Sequence, residues 1–407
     1  MQNQLLDALS VDTRSITHLV SKYFDIQSVV TGGPRHGFHV RYVGHLSTAD
    51  SETAYNELAD TLTPLGFLPL FREEEDGQVI LITRQRPKAK MGPIWVNIVL
   101  FVLTLISVLF TGAQFSATEA SRQMLNSLEG IVRFILQGWP FTVSLLGILL
   151  AHEFGHYLAG RARGVKVTLP YFIPFPFSYF GTMGAFISMK EVPKNKKHML
   201  EIGIAGPLAG LLVTLPVLAI GLHLSTVGPI AAELAPGTVQ LLEGNSVLYL
   251  LAKYITFGKL FPQPTSYGGT APVLYWLRYF FTGQPLPLGG IDVQIHPIAW
   301  AGWAGLFITA LNLIPVGQLD GGHILSMLLG KERSQKVFPF VLGGLFVLGF
   351  AWQGWWLWAA LIFFFGRRYA EPLDQITPID RKHKILGIIA LVIFLLIFSP
   401  VPLVIVQ

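Results

Sequence analysis

Six apolar runs, at about 93–112, 140–160, 199–223, 296–316, 337–366 and 385–405, dominate this sequence. Most are near the roughly 20 residues that a helix needs to cross the hydrocarbon core of a bilayer. Inside lipid only helices and closed barrels satisfy their own backbone groups. The chain therefore reads as a mainly α, polytopic membrane protein. The 337–366 run is longer and basic at both ends (Lys331, Arg333 and Lys336; Arg367 and Arg368). Two short spans or a re-entrant hairpin fit it better than one crossing, which gives about seven or eight spans in all. Composition agrees, with 52% hydrophobic and only 13% charged residues, where soluble domains carry about 25% charge.

Basic residues set the orientation. Residues 84–90, the loop 161–198, the segment 331–336 and the stretch 367–384 are rich in Lys and Arg and are expected on the cytoplasmic side. Loop 224–295 is nearly free of them and is expected outside, with an amphipathic stretch at 117–136 lying on the external surface. The pI of 9.3 does not imply nucleic acid as a partner, because the positive charge sits in short clusters beside apolar runs. The lipid bilayer is the partner that such clusters suit.

Residues 1–90 read as a small cytoplasmic α+β domain. Helical spacing covers about 11–23 (Ile16, Leu19, Val20, Phe24), alternation predicts a strand at 38–43, and 50–63 reads as a second helix. Apolar stretches 67–71 and 79–82 flank a turn at Asp76-Gly77, a hairpin signal. Residues 91–407 form the membrane domain. The mixed, polar first 90 residues show neither a signal nor a transit peptide pattern, so a prokaryotic plasma membrane with a cytoplasmic N-terminus is expected. The aromatic cluster Trp352, Trp355, Trp356 and Trp358 reads as an interfacial anchor.

Chemistry concentrates in the second run, at His152-Glu153-Phe154-Gly155-His156. On a helix the two histidines, four apart, project from one face and can grip one zinc ion. Glu153 stands beside them, placed to accept a proton from water at the metal. Counting about 1.5 Å per residue from Trp139 puts this group well inside the bilayer, where a carboxylate is expensive and is generally paired or functional. The chain has no cysteine, so a third ligand must come from His, Asp or Glu. Residues 312–323 (NLIPVGQLDGGH) stand out, because Pro315 and Gly317 break a helix at membrane depth and Asp320 follows the break. Asp320 as a ligand, Asp320 as a helix cap and His323 as a rival ligand all remain open at this level. Gly206 and Gly210, four apart in the third run, read as a close helix contact.

These residues carry a resemblance. The pair His152-Glu153-x-x-His156 and Leu319-Asp320-Gly321, with Pro170–Pro174, Gly181–Phe186 and Ala205–Gly210 between them, is similar to the site-2 protease family of intramembrane zinc metalloproteases. The match covers a catalytic core of about 140–330. No PDZ-like insert separates the two motifs, so the chain resembles the PDZ-less branch known from cyanobacteria and chloroplasts. The resemblance implies His152, His156 and Asp320 as Zn2+ ligands and Glu153 as catalytic base. It further implies that Asn312 helps hold substrate or stabilise the oxyanion, and that the substrates are transmembrane proteins cut within or beside the membrane. A substrate helix must be unwound to be cut, and the extended-looking segment 181–189 is expected to offer it an open strand edge.

Three rival readings are weighed against this one. A membrane metal transporter would spread its ligands along a path instead of concentrating them at one open site. A prenyl-peptide-processing protease would take a glutamate as third ligand, and no intramembrane Glu follows residue 201. A non-proteolytic membrane scaffold would have no need of intact His152, Glu153, His156 and Asp320.

Overall fold

The computed structural model describes residues 13–32, 36–74, 77–85, 90–117, 124–230, 240–283 and 289–406. It divides into two compact units. One comprises Met1–Lys90 with Lys190–Met199 and Glu371–Arg381; the other comprises Met91–Met189, Leu200–Ala370 and Lys382–Gln407.

The first unit contains α1 (Thr13–Val20), β1 (Phe24–Thr31), β2 (Val40–Leu46), α2 (Ser51–Leu62), β3 (Phe67–Glu74) and β4 (Gly77–Arg84). The four strands form an antiparallel sheet in the order β1-β2-β4-β3. Its core packs Ile16 and Val20 of α1 and Tyr55 and Leu58 of α2 against Tyr42, Phe71 and Ile80 of the sheet. The α2 start is capped by Asp50, whose side chain accepts from the Thr53 amide. Expected residues 11, 12, 75, 76 and 86–89 lie outside the described residues, and the described parts of those elements fall near their expected places. Strand β1 was not expected, because its sequence FDIQSVVT is mostly exposed and lacks a buried alternation.

Two remote segments complete this unit. The Phe71 amide donates to the Leu373 carbonyl and the Gln375 amide to the Phe71 carbonyl, each at 3.0 Å. Leu373 and Ile376 pack on the core. Glu52 of α2 accepts from Lys197 Nζ at 2.9 Å and from Asn195 Nδ2 at 3.1 Å. The 371–381 segment is held in shape by Asp374, 1% exposed, which accepts from the amides of Ile376 (2.9 Å) and Thr377 (3.1 Å). Replacing Asp374 with alanine leaves those amides unpaired, so about 2 kcal/mol of this unit's stability is expected to be lost. Faster limited proteolysis of the first unit would register that loss; unchanged proteolysis would contradict it.

The second unit is the helical one. Among the described residues three helices are long and apolar enough to cross a membrane: α3 (Ile94–Phe115), α5 (Trp139–Ala162) and α6 (Lys196–His223), with 22, 24 and 28 residues. A short helix, α4 (Leu128–Leu136), lies between the first two and carries the described part of the expected amphipathic stretch; 118–123 lie outside the described residues. The hairpin of β5 (Tyr171–Pro174) and β6 (Thr182–Phe186) follows α5. Then come β7 (Thr226–Pro229), β8 (Gln240–Glu243), α7 (Val247–Phe257), α8 (Pro272–Thr282) and β9 (Ile291–Gln294), so residues 224–295 carry more regular structure than the loop expected there. The chain closes with α9 (Pro297–Asn312), α10 (Asp320–Leu329), α11 (Lys331–Leu348), α12 (Gly354–Phe365), α13 (Arg381–Ile397) and β10 (Leu403–Val406). The protein is thus mainly helical with a strand-rich N-terminal region.

The polar residues of α3 explain themselves. Asn97, Thr104, Ser107 and Thr111 form its buried face. Asn97 Nδ2 donates to the Leu169 and Pro170 carbonyls at 2.9 Å, and Ser107 Oγ donates to the Gly181 carbonyl at 2.5 Å. Ten residues separate these two anchors, so the β5–β6 hairpin runs along about 15 Å of α3.

Two expectations change at the C-terminal end. The 385–405 run is helical only to Ile397, because Pro400 and Pro402 cannot continue a helix; β10 then pairs antiparallel with β8. Trp355 is not an interfacial anchor. It is 1% exposed, stacks on Phe398 and donates from Nε1 to the Pro400 carbonyl at 2.6 Å. A core position satisfies both the ring and its single N–H.

Candidate metal centre

Helix α5 turns Leu145, Leu149, His152, Glu153 and His156 into the protein. The spacing of four places both imidazoles on one face, with ring centroids 4.9 Å apart. His152 is 4%, Glu153 4% and His156 6% exposed, so all three have left lipid and water for protein surroundings.

Asp320 reaches this face from another part of the chain. Helix α9 ends at Asn312, and the segment 313–319, broken by Pro315 and by Gly317 in the left-handed region at φ +59°, turns the backbone into α10. Asp320 is the first residue of α10; the cap position is Leu319, and no side chain caps it. The capping alternative is therefore not realised, and the carboxylate is free to face the histidines. Gly321 must be glycine here, since a Cβ would lie 2.0 Å from the Leu313 carbonyl oxygen.

The three donor atoms converge. His156 Nε2 lies 3.2 Å from His152 Nε2 and 3.2 Å from Asp320 Oδ2, and His152 Nε2 lies 3.5 Å from the same oxygen. Tetrahedral zinc with bonds of about 2.0–2.1 Å spaces its donors by roughly 3.3–3.4 Å, so the triangle fits such an ion. Two imidazoles and one carboxylate suit zinc chemically, and three protein ligands leave a fourth position open. Among the described residues this is the group of His, Asp and Glu side chains able to hold a metal. The rival His323 is outside the triangle; its Nδ1 is buried without a hydrogen-bond partner.

Two supporting features escaped sequence reasoning. His156 Nδ1–H donates to the Ile202 carbonyl of α6 at 2.7 Å, which fixes the tautomer and leaves the Nε2 lone pair for the cluster. Gly206 of the same helix abuts the ring itself, where a Cβ would sit 2.1 Å from His156 Nε2. The glycine spacing signalled a close helix contact but not what the contact touches. Asn312 stands at the cluster too, with its amide nitrogen 3.2 Å from His152 Nε2.

The sequence has relatives. A protein of Arabidopsis thaliana named "Probable zinc metalloprotease EGY1, chloroplastic" is 31% identical over 67% of this chain and 45% of its own length. The rice (Oryza sativa subsp. japonica) protein of the same name is 28% identical over 78% of this chain and 53% of its own length. Another rice (subsp. indica) protein, "Probable zinc metalloprotease EGY2, chloroplastic", is 26% identical over 83% of this chain and 56% of its own length. The chain thus spans about half the length of the curated relatives it matches. No solved structure matches. The description of peptidase family M50 matches residues 140–352, a stretch that begins just inside α5 and holds the histidines, Gly206, Asn312 and Asp320. Covering just over half of the chain and every element of the donor cluster, that match makes the chain a member of peptidase family M50.

Proposed function

We propose that this chain is an intramembrane zinc metalloprotease that hydrolyses peptide bonds in or near the transmembrane segments of other membrane proteins. The observation that carries the reading is the convergence of His152, His156 and Asp320 from two helices at zinc-compatible spacing, on a helix long and apolar enough to cross a membrane. Family membership and the zinc metalloprotease names of the relatives support it. The rival transporter gains nothing from the structure, which gathers its ligands in one group.

His152, His156 and Asp320 would hold the zinc ion. When bound, the metal supplies a Lewis acid and lowers the pKa of water toward neutrality. Glu153 accepts the proton released as water attacks the scissile carbonyl, and returns it to the departing amine. To the Asn312 amide, 3.2 Å from His152 Nε2, we assign the role of bonding the carbonyl oxygen or holding the substrate backbone. Ile202 keeps His156 oriented throughout. Purified protein that is metal-free yet fully active would end this reading. Single-span proteins that accumulate in cells carrying a Glu153 variant would name the substrates.

Strand β6 is where we place the unwound substrate. It pairs with β5 on one side, lies against α5, and has no strand on its other edge among the described residues. An edge of this kind presents free backbone groups to an extended peptide. Phe186, half exposed at the end of β6, is the test position. Phe186→Pro removes one backbone donor and should lower cleavage about tenfold or more with zinc content unchanged; unaltered cleavage would count against strand pairing.

Topology follows from the same reading. Adding α9, α11, α12 and α13 to the three long helices gives about seven spans, with the 337–366 run divided between α11 and α12. The unit containing residues 1–90 is then a cytoplasmic domain, residues 91–407 supply the membrane protease domain, and the bilayer and transmembrane substrates are the partners, with no nucleic acid. The curated relatives are named chloroplastic, which does not fit the prokaryotic plasma membrane expected from the sequence. What we retain is sidedness: the N-terminal unit lies on the side where basic residues collect, which is the cytoplasm of a bacterium. Cysteines introduced at exposed Thr226 and Lys166, labelled from outside intact cells, should react at 226 and not at 166.

A further inference from the structure

Away from the metal centre, the second unit forms a partly open cavity of about 370 Å³ among β7, β8, β9 and the start of α9. Two carboxylates line it, Glu243 and Asp292, and they are only 4% and 6% exposed. Behind them Lys253 is completely buried, its Nζ 3.2 Å from Glu243 Oε1 and 3.9 Å from Asp292 Oδ1. The same ammonium lies over the Tyr249 ring, and the Tyr249 hydroxyl donates to Glu243 Oε1 at 2.9 Å.

The charges do not balance. Glu243 is served by an ammonium and a hydroxyl, whereas the carboxylate of Asp292 accepts among the described residues only from the neighbouring Val293 amide, at 2.7 Å. Two carboxylates against one ammonium leave one negative charge over, in a place where little water can solvate it. Burial accordingly holds Asp292 above the usual carboxylate range in spite of Lys253. A cation in the cavity would give Asp292 a second and closer partner than Lys253 at 3.9 Å.

We propose that the cavity binds the basic side chain, guanidinium or ammonium, of a polypeptide lying on the external side of the membrane. Lys253 already stands by both carboxylates, so a small divalent ion would have to share them with it, whereas a guanidinium on its alkyl stem needs only Asp292 and fills more of the space. Trp300, buried and stacked on Phe115, is also in the wall.

Trp300 and Asn312 belong to the same helix, twelve residues apart, which sets the cavity about 18 Å from the metal centre along α9. An extended peptide spans that distance in about 5–6 residues. The inference rests on the proteolytic reading for its consequence: substrates with Arg or Lys about that far to the external side of the cut would be preferred. External flanks are poor in such residues, so the cavity would select a minority of spans.

The test uses the full chain in nanodiscs of neutral lipid and a labelled tripeptide, acetyl-Ala-Arg-Ala-amide, with the Gln peptide as control. The Arg peptide should bind and the Gln peptide should not. Asp292→Asn should weaken binding at least tenfold. Thr226→Arg should do the same from an exposed position on the cavity wall, which keeps the test valid should the buried variant misfold. His156→Ala should bind the Arg peptide like the parent, because this site does not need the metal. In a single-span substrate, exchanging the external Arg for Gln should raise KM about tenfold and leave kcat alone. Equal binding of the two peptides, or full binding by both cavity variants, overturns the proposal. Peptide binding without cleavage of any substrate would instead sink the proteolytic reading and leave the cavity site standing.

Discussion

Glu153→Gln is expected to abolish cleavage while leaving zinc in place. The substitution preserves size, so the buried position, 4% exposed, keeps its packing. It also keeps the net donor set, since Glu153 is not among the three converging ligands. What it removes is the ability to take a proton from attacking water and hand it to the leaving amine. General acid–base catalysis contributes about 10²–10⁴-fold to rate, and in the proposed mechanism one residue serves both half-steps, so a loss near the upper end is expected. Cleavage of a single-span substrate in proteoliposomes, read beside the zinc content of the same preparation, separates the two effects. Full activity would remove Glu153 from the mechanism; loss of zinc along with activity would make it a structural support of the metal site.

The parts of the molecule legible in sequence are those set by local pattern. Continuous apolar runs located α3, α5 and α6 to within a few residues, because lipid imposes a minimum length on a spanning helix. The histidine spacing placed both imidazoles on one face without any knowledge of tertiary structure. Asp320 was findable because Pro315 and Gly317 announce unwound backbone where lipid would not tolerate it, yet sequence could not choose between ligand, cap and His323. What supports Asp320 as the proposed ligand is the cap position at Leu319, which no side chain caps, and the 3.2 Å approach of the carboxylate to His156.

Contacts between distant segments leave no periodic trace. The pairing of Phe71 with Leu373 and Gln375 joins residues about 300 apart, and β10 finds β8 across more than half of the second unit. Trp355 was misread for the same reason, since its neighbour Phe398 and its acceptor Pro400 lie just beyond a later helix, far along the chain. The backbone carbonyl of Ile202 is a site component with no side-chain signature at all.

The glycines of α6 offer the sharpest discrimination of how α5 and α6 meet. Added methyl groups at Gly203, Gly210 and Gly206 would come within 3.6, 3.2 and 2.1 Å of their nearest neighbours. The first is ordinary contact with His323, the second is tight against His152 Cβ, and the third lies almost on His156 Nε2. At Gly206 no rotamer offers relief. His156 Nδ1 is tied to the Ile202 carbonyl of the same helix, and the helices already meet closely, since a methyl on Gly155 would come 2.5 Å from the Ala205 carbonyl oxygen. Either the ring swings away or the helices part by on the order of 1 Å, the distance a van der Waals contact requires. Both outcomes break the 3.2 Å spacing of the ligand atoms. Gly206→Ala is therefore expected to lower zinc affinity by more than the 10–100-fold typical of an outer-shell change and to remove activity. Gly210→Ala should cost a few-fold and Gly203→Ala close to nothing, measured as zinc retained during chelator titration. A variant at Gly206 that holds zinc as well as the Gly203 variant would mean that α6 does not press on His156, and the ligand geometry derived from that contact would fall with it.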